Sequence, residues 1–204
     1  MDNKSSFKSD LEKEQKLALL LDTYYKENLN HYTFERVSDI AQQLAGIDVI
    51  FKNSATQQSY YLDEKAQLDY VNEDLPTFAF ELCYQKNGKV KEGWLFDTAK
   101  KTDFYALVTG IYSDAPNTFT SCKITFVNRK KLIGFLKNRN IDKSVLDEYL
   151  TTYEGEQGKI ELRELKAKTE GYLYFSNLNK VEKPINLILR LEFLLTNGLA
   201  KRLV

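Results

Sequence analysis

Histidine, cysteine and long apolar runs are scarce in this chain, and each scarcity removes a class of function. One histidine, His31, in 204 residues leaves no basis for a histidine-rich metal site, an HNH-type nuclease or a typical Ser-His-Asp arrangement; it stands at a predicted helix start and is expected at the surface. The two cysteines, Cys83 and Cys122, lie in apolar, strand-like stretches with no cysteine or histidine nearby. They are expected to be buried reduced thiols, which fits a cytoplasmic protein. No stretch reaches the roughly 18 apolar residues needed to span a bilayer, and Met1 to Glu14 is polar and charged, unlike a signal peptide. Neither secretion nor membrane insertion is expected. The nine glycines form no glycine-rich phosphate loop of the Walker or dinucleotide type, which argues against nucleotide-driven activity. An excess of one charge is missing as well: 29 basic and 29 acidic residues give a formal net charge of +0. Any nucleic-acid contact must therefore rest on local basic clusters.

What is present is enough apolar material, 43% of residues, for one compact domain with a real core. Residues 1 to 9 are expected to be disordered and residues 10 to 204 to form a single domain. Leu11, Leu17, Leu20, Leu21 and Tyr24 recur at helical spacing after a Ser9-Asp10 cap, predicting a helix to about Lys26. A second helix is predicted from about Tyr32 to Ala45, with Phe34, Val37, Ala41 and Leu44 as its buried stripe and Gly46 as its stop. Beyond Gly46 the period becomes that of strands, at about 47 to 53, 59 to 67, 77 to 85, 90 to 97, 104 to 112 and 122 to 128. Asn87-Gly88 predicts a hairpin turn between the third and fourth. Helices are expected again from Arg129 to about Asn138, from Asp142 to Tyr153 and from Pro184 to about Leu203, with residues 155 to 176 strand-like or irregular. Helices, then strands, then helices fit an α+β or mixed α/β fold, a central mixed sheet flanked by helices.

Two neighbouring segments carry the chemistry: Gly46-Ile-Asp48-Val-Ile-Phe, then Tyr60-Tyr-Leu-Asp63-Glu-Lys65-Ala-Gln67. Residues on a strand alternate faces, so Tyr61, Asp63, Lys65 and Gln67 share one side while Tyr60, Leu62, Glu64 and Ala66 take the other. A carboxylate on one strand and a carboxylate with an ammonium on the next can hold magnesium, a hard cation that prefers oxygen ligands and keeps several waters. As a bland alternative, Asp63 and Lys65 would be a surface ion pair worth about 0 to 1 kcal/mol. Their company, Tyr60-Tyr61-Leu62 before and Ala66 after, points instead to the end of a buried strand.

Asp48 followed by Asp63-Glu64-Lys65 resembles the PD-(D/E)XK, or restriction-endonuclease-like, nuclease superfamily. There an acidic residue opens one strand, an acidic-x-Lys triplet sits on the next, and an acid on the preceding helix often completes the set. The resemblance implies a restriction-endonuclease-like core and a Mg²⁺-dependent DNA endonuclease, with Mn²⁺ as substitute. Asp48 and Asp63 would be the metal ligands, Lys65 the catalytic lysine, Gln67 a polar residue one strand step beyond it, and Glu35 or Asp39 the helix acid. No proline precedes Asp48; the residue there is Ile47. DNA is the implied partner, with a homodimer as one way to cut both strands. The basic cluster Arg129, Lys130, Lys131, Lys137 and Arg139 supplies phosphate contacts or merely a solvated helix face. Glu81, in an otherwise apolar strand, faces the same cleft or pairs with a lysine, and Lys101-Thr102-Asp103 forms a rim or a turn. The alternative is a catalytically inactive nuclease-fold module that binds nucleic acid or protein; a third reading is a purely structural interaction protein.

Overall fold

Alternation with period two carries more of the chain into strands than helical spacing carries into helices. The computed structural model describes residues 3–86, 89–115, 118–153, 155–176 and 183–204, with side chains described from Glu12 onward apart from Lys86. Among the described residues the elements run α1 (Asn3–Asn28), β1 (Tyr32–Arg36), α2 (Ile40–Leu44), β2 (Val49–Asn53), β3 (Ser59–Ala66), β4 (Thr77–Lys86), β5 (Lys89–Glu92), β6 (Phe104–Ala115) and β7 (Thr118–Asn128). They continue with α3 (Arg129–Asn138), α4 (Lys143–Thr152), β8 (Gly158–Ile160), β9 (Gly171–Phe175), β10 (Lys183–Arg190), α5 (Leu191–Thr196) and β11 (Ala200–Arg202).

The fold is α+β with a mixed central sheet. Six strands lie in the order β1-β2-β3-β6-β7-β11; β3 and β6 are parallel, and the other neighbours are antiparallel. A second sheet, β5-β4-β10-β9-β8, is antiparallel throughout. Each face of the central sheet has its own core. On one face Leu17, Leu21 and Tyr25 of α1 pack with Val49, Phe51, Leu62, Ala106 and Val108, each fully buried large side chain contributing roughly 1.5 to 3 kcal/mol. On the other, Tyr105, Leu107 and Val127 pack with Phe80, Leu173, Leu187 and Leu189 of the second sheet and with Leu132 and Leu136 of α3. Register then decides which face every β3 side chain meets: Asp63 pairs with Tyr105 and Lys65 with Leu107, whereas Glu64 pairs with Ala106.

Several expectations need correction. The helix expected over Tyr32 to Ala45 is a strand followed by a one-turn helix. Tyr32, Phe34 and Arg36 alternate with exposed residues, and Phe34 pairs with Phe51 across the ladder, so cross-strand aromatic packing overrides the helical reading of the same apolar residues. The closing helix is replaced by β10, α5 and β11. Leu187 and Leu189 are buried two residues apart, a strand period, and the five-stranded sheet built around β10 is why one sheet became two. The first helix is described from Asn3 to Asn28. The side chain of Leu11 and the Asn87-Gly88 turn lie outside the described residues, although β4 and β5 on either side of that turn do pair antiparallel. Cys83 and Cys122 are both buried and free, His31 is exposed, and no helix among the described residues is long and apolar enough to cross a membrane.

Candidate active site

Antiparallel pairing of Val49 with Leu62 sets Asp48, one residue before β2, opposite Asp63 on β3. The ladder continues there, with Asp48 N–H donating to the Leu62 carbonyl at 2.8 Å. The Asp63 charge lies close enough to Asp48 to raise the pKa of its carboxyl. Lys65 Nζ donates to Asp63 Oδ1 at 2.6 Å, and the backbone N–H of Glu64 donates to Asp48 Oδ2 at 2.8 Å. Asp63 is only 2% exposed, and its second oxygen, Oδ2, is buried without a hydrogen-bond partner among the described residues. An orphaned carboxylate oxygen is costly in an apolar interior, so Asp63 Oδ2 is the atom here most in want of a ligand.

The roof over this oxygen depends on a glycine. Gly46 follows α2 with φ +76°, and a Cβ there would lie 2.4 Å from Thr102 Oγ1 and 3.4 Å from Asp63 Oδ2. The left-handed backbone and the close approach both require the missing side chain. Thr102, buried, donates to the Gly46 carbonyl at 2.8 Å, and Lys101 N–H donates to the Ala45 carbonyl at 2.8 Å. Thus the Lys101-Thr102-Asp103 segment forms part of the rim. On the far side Lys65 Nζ lies 5.4 Å from the Trp94 ring centroid, a cation–π distance, and Trp94 meets Tyr105 edge-on with centroids 4.7 Å apart.

Burial, reinforced by the neighbouring Asp63 charge, pushes the Asp48 carboxyl up to about 7, against the opposing pull of the Glu64 N–H and Lys65. Two like charges this close cannot both ionise cheaply. The pair therefore retains a proton up to near-neutral pH.

Strand parity sends Glu64 to the other face. There its carboxylate accepts from Arg36 at 2.8 and 3.3 Å and from the Tyr25 hydroxyl at 2.8 Å, while Arg36 also donates to Asp22 at 2.8 Å. Burial disfavours the Arg36 charge, but the bonds and charges of Glu64 and Asp22 outweigh it and raise its pKa further. Residue 64 thus anchors β3 to α1 and β1 through its side chain while its backbone orients Asp48.

The remaining sequence-predicted residues are placed as follows. Gln67 directs its amide to the Thr77 carbonyl at 2.9 Å, tying β3 to β4. Glu35 lies on β1, exposed and in register with Ile50, and Asp39 caps α2 by accepting from Gln42 N–H at 2.8 Å; neither is part of a preceding helix. No group of three or more histidine, cysteine, aspartate or glutamate side chains gathers for a metal among the described residues, so Asp48 and Asp63 stand as a pair. Arg129 is consumed within the fold, donating to the Tyr105 hydroxyl and to the Leu95, Asp97 and Lys100 carbonyls. Arg139 pairs with Glu170 at 2.9 Å and lies over the Phe135 ring. Lys130, Lys131 and Lys137 are exposed. Glu81 lies on β4 in register with Asn186, in the second sheet. Sequence reasoning missed Arg36, Trp94 and the part Gly46 plays in roofing the site. Only Gly46 carried a local signal, its place two residues before Asp48.

No protein-family model matches the chain, and comparisons with curated proteins and with solved structures find no match.

Proposed function

We propose that the chain is a metal-dependent DNA endonuclease with a restriction-endonuclease-like core, hydrolysing phosphodiester bonds with metal-activated water. One observation carries this reading: Asp48 and Asp63 face each other where β2 pairs with β3, Lys65 lies 2.6 Å from Asp63 Oδ1, and Asp63 Oδ2 is buried and, among the described residues, unpartnered. That donor set, two hard carboxylates with one open oxygen, fits Mg²⁺ or Mn²⁺. Asp48 and Asp63 would hold the ion, which when bound lowers the pKa of its water from roughly 15.7 towards neutrality and stabilises charge on a phosphate. Lys65, half-buried and held against Trp94, offers its ammonium to the attacking water or to the charge developing on phosphorus. Gly46 and Thr102 keep bulk water from one side of the carboxylates. Gln67 acts at one remove by fixing the end of β3, and Lys130, Lys131 and Lys137 are the exposed cations that would meet DNA phosphates. A homodimer would bring two such sites to the two strands.

The test is cleavage of plasmid and linear DNA with Mg²⁺ or Mn²⁺, comparing the wild type with Asp63→Ala and Lys65→Ala. Cleavage lost in both variants is expected, and cleavage unaffected by either change refutes the assignment. A second reading, a catalytically inactive nuclease-fold module that binds nucleic acid or protein, draws support from the lack of a third carboxylate beside the pair among the described residues. DNA retention without metal-dependent heat on Mn²⁺ titration would favour it.

A further inference from the structure

The α1 face of the central sheet is covered only in part. Leu17, Leu21 and Tyr25 lie over it, but α1 ends at Asn28 and the chain turns away into β1. Beyond that end lies a cleft of about 570 Å³, within the range of small-molecule sites. Its wall is aromatic: Phe51, Tyr60, Phe104 and Phe126 line it. Tyr60 and Phe104 meet edge-to-face with centroids 5.9 Å apart, so π-faces and ring edges are both offered to an occupant. Tyr60, Phe104 and Phe126 are only half-buried, although they belong to a packed apolar cluster.

The charged lining has one sign. Lys131, in the first turn of α3, and Lys201, on β11 in register with Phe126, both line the cleft, and no aspartate or glutamate among the described residues does. Both lysines are exposed, and neither ammonium has a carboxylate partner within 4.0 Å among the described residues. Asn128, which caps α3 through its side chain, is also in the lining, adding the positive end of a ten-residue helix to the two ammonium groups. Strand parity separates this cleft from the carboxylate pair: Leu62 and Phe104 face α1, while Asp63 and Lys65 pair with Tyr105 and Leu107, which face the second sheet.

We propose that this cleft is a binding site for a small aromatic anion, its aryl body against the Tyr60, Phe104 and Phe126 rings and its anionic group between Lys131 and Lys201. The site does not depend on the nuclease reading: it shares no residue with the carboxylate pair, and only Lys131 with the cations proposed to meet DNA. The test uses two probes with the same aryl body, the anionic 8-anilinonaphthalene-1-sulfonate and the neutral N-phenyl-1-naphthylamine, titrated by fluorescence into the full chain and into a Lys131→Met/Lys201→Met double variant. Both substitutions are at exposed positions, so the variant is expected to keep the wild-type melting temperature. Saturable 1:1 binding of the sulfonate is expected in the wild type, weakened about tenfold or more in the double variant, with the neutral probe bound equally by both proteins. The proposal is overturned if the sulfonate does not saturate at one site, if the double variant binds it as tightly as the wild type, or if both probes lose affinity together.

Discussion

Asp48→Asn isolates the electrostatic cost of the carboxylate pair. In the unfolded chain Asp48 titrates near the ordinary 3.8, and in the fold burial and Asp63 raise it to about 7. Between those values the native state binds the extra proton, so stability falls as pH rises, by about 1.4 kcal/mol per pH unit. From pH 5 to pH 7 the loss is roughly 2 to 3 kcal/mol, and above pH 7 it levels off because both states are then ionised. An asparagine side chain cannot titrate, so the variant lacks this loss. Urea unfolding at pH 5, 6, 7 and 8 should show the wild type losing stability relative to Asp48→Asn by roughly 2 to 3 kcal/mol over that window, with the variant the more stable protein at pH 8. Adding Mn²⁺ at pH 8 should narrow the gap by stabilising the wild type alone, because a ligand that binds only the native state stabilises it by mass action. A wild-type-minus-variant difference that is flat from pH 5 to pH 8 refutes the argument that the two carboxyls oppose each other's charge.

Three further outcomes follow from the same geometry. Arg36→Ala leaves the Glu64 carboxylate without its cation and should cost about 2 to 3 kcal/mol in urea unfolding, with Glu64→Gln costing less because it removes the charge along with the need for one. Gly46→Ala places a Cβ against Thr102 in a left-handed backbone and should cost about 1 to 3 kcal/mol and weaken Mn²⁺ binding by calorimetry; unchanged affinity would mean the roof does not shape the site. Replacing Lys130, Lys131 and Lys137 together by alanine should flatten the salt dependence of DNA retention without lowering thermal stability, whereas Arg129→Ala should lower stability, since four acceptors within the fold lose their donor.

Strand parity around Asp63 was legible in the sequence because alternation is local and needs no partner to read it; it separated Lys65 from Glu64, and the ladder with β6 keeps that separation. The strands β2, β3, β4, β6 and β7 and the helices α3 and α4 were also legible from local periodicity, whereas the strand expected over 90 to 97 ends at Glu92. The region from Tyr32 to Ala45 was not legible, since Phe34, Val37, Ala41 and Leu44 are spaced as on a helix and the strand over Tyr32–Arg36 is chosen by Phe51 across the sheet. β10 was misread although Leu187 and Leu189 alternate, because its partners β4 and β9 lie far away in sequence. The candidate site was legible to the extent of Asp48, Asp63 and Lys65. Arg36 and Trp94 were invisible because their roles arise from register and sheet stacking, which no window of residues contains. Arg129 looked like a phosphate ligand by charge alone; its four internal acceptors come from a loop and a strand more than twenty residues upstream.

The division of labour along β3 has a consequence for how this protein can change over time. Glu64 secures the strand to the α1 side through Tyr25 and Arg36, and its immediate neighbours carry the proposed chemistry on the opposite face. Mutations at Asp63 or Lys65 would therefore silence the proposed carboxylate site while the scaffold persists, and mutations at Glu64 would erode the scaffold while that site's side chains remain in the gene. A descendant that keeps Glu64, Arg36 and Tyr25 but has lost Asp63 would be a folded relic free to acquire another role. One that has lost Glu64 alone would retain the signature of the site without the frame to present it.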